Sequence, residues 1–539
     1  MEPKVAYLSS EFALSDDLPL YAGGLGILAA DTLLQAAEDN LPIVGVTLLH
    51  RGGFFQQRID AAGNQQPFYE KIDPASAGLI DLGQRIEVPF PDRRVFLKIW
   101  RKDILSIPLF LLDADVPENK PEDRTLAYRL YERIWAPHLD DDLLLGIGSV
   151  RLFRQLEIPV KTWHLNDDHA SLNLLERLRE NLAAGLPLRE AREKVKAETV
   201  FTTHTPVAGA ESKFSKEEIT PVLAALFKGL KVTPNELYEL GRREETFSLT
   251  VFSMKHARVV NAVSKKHLGI ARDLWGFIGE LPLTYVTNGI YPPRWTPPEI
   301  KELNPKKATN EELWNAKRAA KKRVARKLKF DPEALVLCWA RRFTQYKQPL
   351  LLTSDLDRLG KILTNPKKPV YLLMAGKAHP ADQDGQKLLK EVVTASRDPR
   401  LGDRLIFLPN YNLGLAHDLL AASDVWINTP IPGWEASGTS GMKAVHNLAL
   451  NASTLDGWWA EGFNGKNGWV IEEPFAESLY QLLEEEIVPT YYHQREKWLA
   501  MVREALRSCG PRFNTHRMLR EYAKLYRGSS QTASQKPRG

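Results

Sequence analysis

Short apolar runs alternate with longer stretches of helical spacing along nearly the whole chain. In the first half the runs are Val5–Leu8, Ile43–Leu49, Val95–Trp100, Leu109–Leu112, Thr162–Leu165, Val200–Thr203, Val259–Val263 and Thr284–Val286. In the second half they are Leu335–Trp339, Val370–Met374, Leu405–Leu408, Asp424–Ile427 and Trp469–Ile471. Several are continuous, without in–out alternation, which predicts parallel strands covered on both faces. Parallel pairing needs long crossovers, and the helical stretches supply them. A polar, proline-dotted segment, Pro292–Lys307, marks a boundary between two α/β halves, 1–292 and 293–510. Beyond it, Thr309 and Glu312 form a capping box that opens a helix. The dense basic stretch Lys317–Lys329 on that helix reads as a solvated face. After a turn-rich break at Cys509–Thr515, a helical pattern at 511–527 is expected to pack back on the first half. Residues 528–539 are polar and expected to be disordered.

Composition narrows the class. A chain of 539 residues exceeds one ordinary core. With 43% hydrophobic and 26% charged residues it reads as soluble and globular. No apolar run approaches the roughly 18–20 residues that cross a bilayer, and Met1–Phe12 lacks the succession of a secretory signal. A net charge of +5 spread over this length is weak evidence for nucleic-acid binding. The two cysteines, Cys338 and Cys509, form no CxxC pair, which argues against a zinc ribbon or a redox dithiol and fits a reducing cytoplasm.

The chemistry gathers where predicted strands end. Trp434-Glu435-Ala436-Ser437-Gly438-Thr439-Ser440-Gly441-Met442-Lys443 follows one strand and leads into a helix. Small residues with free N–H groups ahead of a helix bind anions. Glu435 is a lone carboxylate suited to sugar hydroxyls. Lys443 can pair with a phosphate or condense with a pyridoxal aldehyde, and the residues alone do not choose. Arg341, Arg342 and Lys347 follow another strand. Three cations exceed what one phosphate needs and suit two held side by side. Gly23-Gly24 permits close backbone approach, although alone it reads as a tight turn. His204 ends a strand, as a structural or a site histidine. Asp167 and His169 sit in a similar loop, with no third cluster to complete a metal site. Asn288 offers an amide to sugar hydroxyls. Trp458-Trp459 is either a sugar-stacking platform or, more commonly, core.

Taken together these segments resemble the α-glucan phosphorylase family, more closely its short form. The stretches that carry the resemblance are AYLSSEF, GGLGILAAD, WHLNDDHASL, FTTHTP, VNAVS, VTNGI, ARRFTQYK, AGKAHPAD, NYNLGLAHDLL, EASGTSGMK and LDGWWAEGFNGKNGW, collinear from residue 6 to residue 469. The resemblance implies two Rossmann-like domains in the GT-B arrangement, with the active site between them. It implies that Lys443 binds pyridoxal 5′-phosphate as an imine. Arg341, Lys347, Thr439, Ser440 and Gly24 match positions around the cofactor and substrate phosphates, and Tyr411 lies at the cofactor. Arg342 matches the arginine at the substrate phosphate. Glu435, Ser437, Gly438 and Asn288 match groups that hold glucosyl hydroxyls. His204 matches a histidine beside the reacting sugar, and Asp167 and His169 a polar loop near it.

The activity implied is retaining phosphorolysis of terminal α-1,4-glucosyl units of a glucan or maltodextrin by inorganic phosphate, giving α-D-glucose 1-phosphate. The cofactor's 5′-phosphate takes part in proton transfer. Members are commonly homo-oligomers. No nucleic-acid or membrane partner, no metal and no regulatory N-terminal extension is expected. Asn412, Gln348, Ile431–Trp434 and Leu448 depart from the family pattern. Two rival readings are a nucleotide-sugar-dependent glucan synthase of the same fold and an inactive glucan-binding homologue. The synthase reading wants a second glutamate where Lys443 stands and a lysine where Ala22 stands.

Overall fold

The computed structural model describes residues 5–132, 139–207, 211–304 and 307–528; apart from Gly528, the expected polar tail lies outside the described residues. Among these, two large sheets dominate a mixed α/β fold. Nine strands build the first, in the order Leu283–Tyr285, Val259–Ala262, Thr199–Thr202, Thr162–Asn166, Val5–Leu8, Ile43–Leu48, Ile107–Asp113, Arg94–Ile104 and Ile80–Pro89. Neighbours are parallel as far as Ile107–Asp113, and the last two strands run antiparallel. The second sheet has six parallel strands: Leu405–Leu408, Val370–Ala375, Leu335–Ala340, Val425–Asn428, Leu450–Ser453 and Gly468–Val470.

Each apolar run in the sequence falls in one of these strands, shifted by a few residues at most. Two strands carry no such signal. Leu450–Ser453 reads Leu-Asn-Ala-Ser, yet all four residues are buried, because neighbours cover both faces. Ile80–Pro89 is a sheet edge with many polar positions, held by antiparallel pairing to Arg94–Ile104.

In the first sheet the strand order reverses between Val5–Leu8 and Thr162–Asn166, and in the second between Leu335–Ala340 and Val425–Asn428. Open parallel sheets bind ligands at the carboxyl ends of strands at such switch points. The loops leaving these four strands carry Glu11, Asp167, Arg341 and Glu435.

The helix Asn310–Leu328 begins at the expected capping box, with Thr309 Oγ1 accepting from Glu312 N at 3.2 Å and Glu312 Oε2 accepting from Thr309 N at 2.6 Å. Its basic stretch is not simply a solvated face, because Lys317 and Lys321 are buried. Lys317 Nζ donates to the carbonyls of Ala421 at 3.0 Å and Asn447 at 2.9 Å. These end the helices Leu413–Ala422 and Ser440–His446, where unpaired carbonyls and the helix dipole favour a cation. Lys321 Nζ pairs with Asp424 Oδ2 at 2.6 Å.

Trp458 and Trp459 are buried, so of their two readings the core one holds. The helix Thr515–Tyr526 buries Met518, Leu519 and Tyr522 in a cluster with Val5, Tyr7, Leu28 and Leu33 of the first half. Cys338 and Cys509 are buried free thiols. No helix of the described residues is long and apolar enough to cross a membrane.

The two kinds of contact on one helix predict different costs. Lys321→Ala strands a buried carboxylate and should cost about 3–5 kcal/mol, whereas Thr309→Ala loses one cap and should cost about 1 kcal/mol. Urea unfolding of the two variants checks this; equal losses would refute the buried-pair account.

Candidate active site

The strand Leu335–Ala340 is buried throughout. The chain then leaves the sheet through Arg341-Arg342-Phe343 into the 3₁₀ turn Gln345–Lys347. Phe343 anchors this exit, edge-on to Trp339 at 5.1 Å. Gly376, on the next strand's exit, permits the close approach: a Cβ there would stand 2.0 Å from the Arg341 carbonyl oxygen. The neighbouring strand Val425–Asn428 delivers the loop that carries Glu435. Asp456 Oδ2 pins that loop by accepting from Gly433 N at 2.9 Å and Glu435 N at 2.8 Å. Gly438 turns it with a φ of +74°, a conformation that favours glycine.

These two loops bring Arg341, Lys347 and Glu435 together. Glu435 Oε2 accepts from Lys347 Nζ and, at 3.2 Å, from Arg341 Nη2. Burial alone would raise the Glu435 carboxyl, but Lys347 and Arg341 outweigh it and hold it below its ordinary range, so it is ionised. Arg341 Nε and Nη1 are buried with no hydrogen-bond partner among the described residues. A desolvated guanidinium with two open nitrogens calls for an anionic acceptor, and phosphate oxygens match its fork. Arg342 is exposed next to Tyr346, with Glu11 and Glu435 within electrostatic reach. Ser437 and Thr439 are buried on the same loop, and Ser440 Oγ donates to Asn428 Oδ1 at 3.3 Å.

The helix Ser440–His446 carries Lys443 inward, where Nζ lies 3.8 Å from the centroid of the Trp295 ring. Burial drives its pKa down to about 7, against the opposing pull of Asp31. About half of such a lysine is unprotonated at neutral pH, and that form can attack an aldehyde. Tyr411 is half-buried near Arg341, its hydroxyl pushed up by burial.

The first half supplies a second set of groups. His204 Nε2 sits 2.8 Å from Asn166 Oδ1, and burial depresses the ring's pKa to about 3, so it is neutral. Asp167 has a φ of +74°, and burial beside Asp168 raises its carboxyl to about 7. His169 lies 3.5 Å from Asp142; burial disfavours its charge, but Asp142 and Asp168 raise it to about 10. Asn288 Oδ1 is buried without a partner among the described residues. Gly24 begins the helix Gly24–Glu38, and Glu11 Oε2 accepts from Ala22 N at 2.9 Å and from Gly23 N and Gly26 N at 3.2 Å.

Links cross between the halves here. Ser264 Oγ donates to Ala436 O at 2.6 Å, and His379 Nε2 lies 2.6 Å from Tyr131 O. Among the described residues Lys443 makes no hydrogen bond to the Arg341 cluster; the ring against its amine, Trp295, comes from the boundary segment. Sequence reasoning assigned no chemistry to Glu11, Asp31, Trp295 or Asp456. Glu11, Asp31 and Asp456 lie in the stretches that carry the resemblance, but their spacing says nothing of a carboxylate turned inward.

A family model described as carbohydrate phosphorylase matches residues 294–468. The chain is 37% identical to a maltodextrin phosphorylase of Thermococcus litoralis, over 97% of this chain and 70% of that protein. It is 33% identical to a glycogen phosphorylase of Aquifex aeolicus, over 96% of this chain and 85% of that protein. The chain belongs to the carbohydrate phosphorylase family. An uncharacterized protein of Methanocaldococcus jannaschii is 32% identical over 98% of this chain and all of its own length.

Within this phosphorylase family, the departures acquire local roles here. Asn412 Oδ1 caps the helix Leu413–Ala422 by accepting from Leu415 N at 2.9 Å. Gln348 Nε2 donates to Thr429 O at 3.2 Å. Leu448 has a φ of +57°, a conformation that favours glycine. Trp434 is exposed and stacks on Tyr346 with ring centroids 6.1 Å apart.

The open Arg341 donors predict anion binding by the protein without any glucan. Inorganic phosphate at about ten times its Kd should stabilise the fold by about 1.4 kcal/mol. Arg341→Ala should remove most of that gain, read as the phosphate-dependent shift in melting temperature. An undiminished shift would place the anion elsewhere.

Proposed function

We propose that this chain is an α-glucan phosphorylase that transfers terminal α-1,4-glucosyl units of a glucan or maltodextrin to inorganic phosphate, releasing α-D-glucose 1-phosphate with retention at the anomeric carbon. The carrying observation is the combination, in a member of this family, of a buried low-pKa Lys443 with the Arg341–Lys347–Glu435 cluster and its open guanidinium donors. We read the chain as two Rossmann-like domains, 1–292 and 293–510, in the GT-B arrangement. The helix at 511–527 belongs with the first, and the site lies in the cleft between them. The two switch points and the links between the halves support this reading.

The residues present fit pyridoxal 5′-phosphate. Lys443 would hold its aldehyde carbon, and Arg341, Thr439, Ser440 and Gly24 would surround its phosphate, with Tyr411 alongside. When bound, the group supplies a phosphate able to exchange a proton with the substrate phosphate. Arg342 and Lys347 hold the substrate phosphate against that like charge, in a site where repulsion is strong. Glu435, Ser437, Gly438 and Asn288 orient the glucosyl hydroxyls. His204, neutral and fixed by Asn166, sits beside the sugar, and Asp167 and His169 form a polar loop near it. As the C1–O4 bond breaks, a proton passes from the substrate phosphate to the departing oxygen, and a phosphate oxygen bonds to C1.

The purified protein, incubated with pyridoxal phosphate, should carry about one cofactor per chain, released by alkali and absent from Lys443→Ala. It should form glucose 1-phosphate from maltodextrin and phosphate. A protein that stays colourless and turns over a nucleotide sugar instead would overturn the reading. Because the neutral amine is the attacking form, the capture rate should rise with pH and level off above about pH 7. A rate still climbing to pH 10, as for an ordinary lysine, would refute the depressed pKa.

A further inference from the structure

Asp31 lies on the first helix of the N-terminal half, far in sequence from the cofactor lysine, and its side chain is fully buried. A buried carboxylate is costly unless its oxygens are satisfied. Here the donors among the described residues come from the boundary segment and the residue just before it: Trp295 Nε1 at 2.7 Å and Tyr291 N at 2.9 Å to Oδ2, and Arg294 Nη1 at 3.1 Å to Oδ1. Arg294 is held in turn by its Nη2, which donates to Leu14 O at 3.3 Å. The Trp295 ring so fixed is the surface on which Lys443 Nζ rests, at 3.8 Å. His417 stacks on the same ring, with centroids 4.7 Å apart and planes 17° from parallel. From the lysine's side, Asn447 Nδ2 donates to the carbonyls of both Trp295 and Lys443 at 2.9 Å. The backbones of the two residues are therefore clamped by Asn447 and the indole by Asp31.

We infer that Asp31 is a positioning residue for Lys443: its carboxylate anchors the Trp295 indole and thereby sets where the amine stands when an aldehyde is presented. The inference rests on the pyridoxal phosphate reading above. A residue needed only to join helix to linker would do so with less desolvation if it were apolar. A carboxylate also acts on the amine. The charged and titratable groups facing Lys443 are Asp31, which favours the ammonium, Arg294, which opposes it, and His417, which burial keeps neutral with a pKa of about 4. The placement also joins two parts of the site. Asp31 lies seven residues, about two turns, after Gly24 on one rigid helix. The helix that brings its glycine end to the phosphate site thus fixes the lysine as well.

The test uses Asp31→Asn, which keeps shape and loses charge, and Trp295→Phe, which keeps a ring and loses its donor. Lys443 reactivity is read without cofactor, by reductive methylation with formaldehyde and cyanoborohydride across pH, followed by peptide mass spectrometry. Surface lysines serve as internal standards. Both variants should lower the plateau rate at Lys443 by about tenfold, the scale of a modest misplacement. Asp31→Asn should also move the midpoint to lower pH, since the group favouring the ammonium is gone; Trp295→Phe should leave it in place. A merely structural residue would leave the profile unchanged in molecules whose melting and circular dichroism match the parent. Parental rate and midpoint at Lys443 in both variants would overturn the inference. If Asp31→Asn does not fold, the plateau in Trp295→Phe decides. If the parent never captures pyridoxal phosphate, the functional reading fails by itself, and the methylation profile still decides whether Asp31 sets the amine.

Discussion

Glu435 is the charge that lets Arg341 and Lys347 share one buried turn. Two unit charges about 4 Å apart interact with about 4 kcal/mol at the effective dielectric near a protein surface, and more as water is excluded. Without an intervening carboxylate, the two cations would push the loop apart. With it, Arg341 commits one nitrogen to Glu435 and keeps two buried nitrogens open. That surplus leaves the turn open to an anionic acceptor. The backbone is arranged around this balance. Gly376 lets the cation loop pass close to the next strand, Asp456 pins the carboxylate loop, and both loops leave the switch point of one parallel sheet.

Lys443 is governed by the opposite rule. Among the described residues no carboxylate is in hydrogen-bond contact with it, so burial dominates and about half of the amine is neutral at pH 7. Its neighbours are the Trp295 ring, a distant Asp31 carboxylate and a neutral His417. Nearby lysines thus serve different ends through their surroundings. Lys347 is a charge held by a carboxylate, Lys317 caps two helix ends, and Lys443 is available as a nucleophile. Residue type alone does not distinguish them.

The molecule also joins its halves through buried and part-buried polar contacts. Asp31 reaches the boundary segment, Ser264 reaches Ala436, and Tyr131 meets His379. Such contacts are directional and lose their energy within a small displacement. They hold the groups of one half in register with those of the other, as positioning for transfer chemistry requires.

Much was legible along the chain. Continuous apolar runs marked parallel strands because burial on both faces leaves no polar alternation, and the capping box at Thr309 is a local hydrogen-bond pattern written in two residues. The collinear motifs carried the family, and the loop from Glu435 to Lys443 carried its candidate chemistry. Leu450–Ser453 was not legible, because its burial comes from neighbouring strands rather than its own side chains. The basic run at Lys317 was misleading, because which lysines point inward depends on helix ends more than 100 residues away. Asp31, Glu11 and Asp456 looked like ordinary acids, since a carboxylate's role lies in the donors that reach it. The order and type of the elements are local properties of the sequence. The pKa of Lys443, the open donors of Arg341 and the anchoring of Trp295 arise only when distant segments exclude water together, and only the tertiary structure decided them.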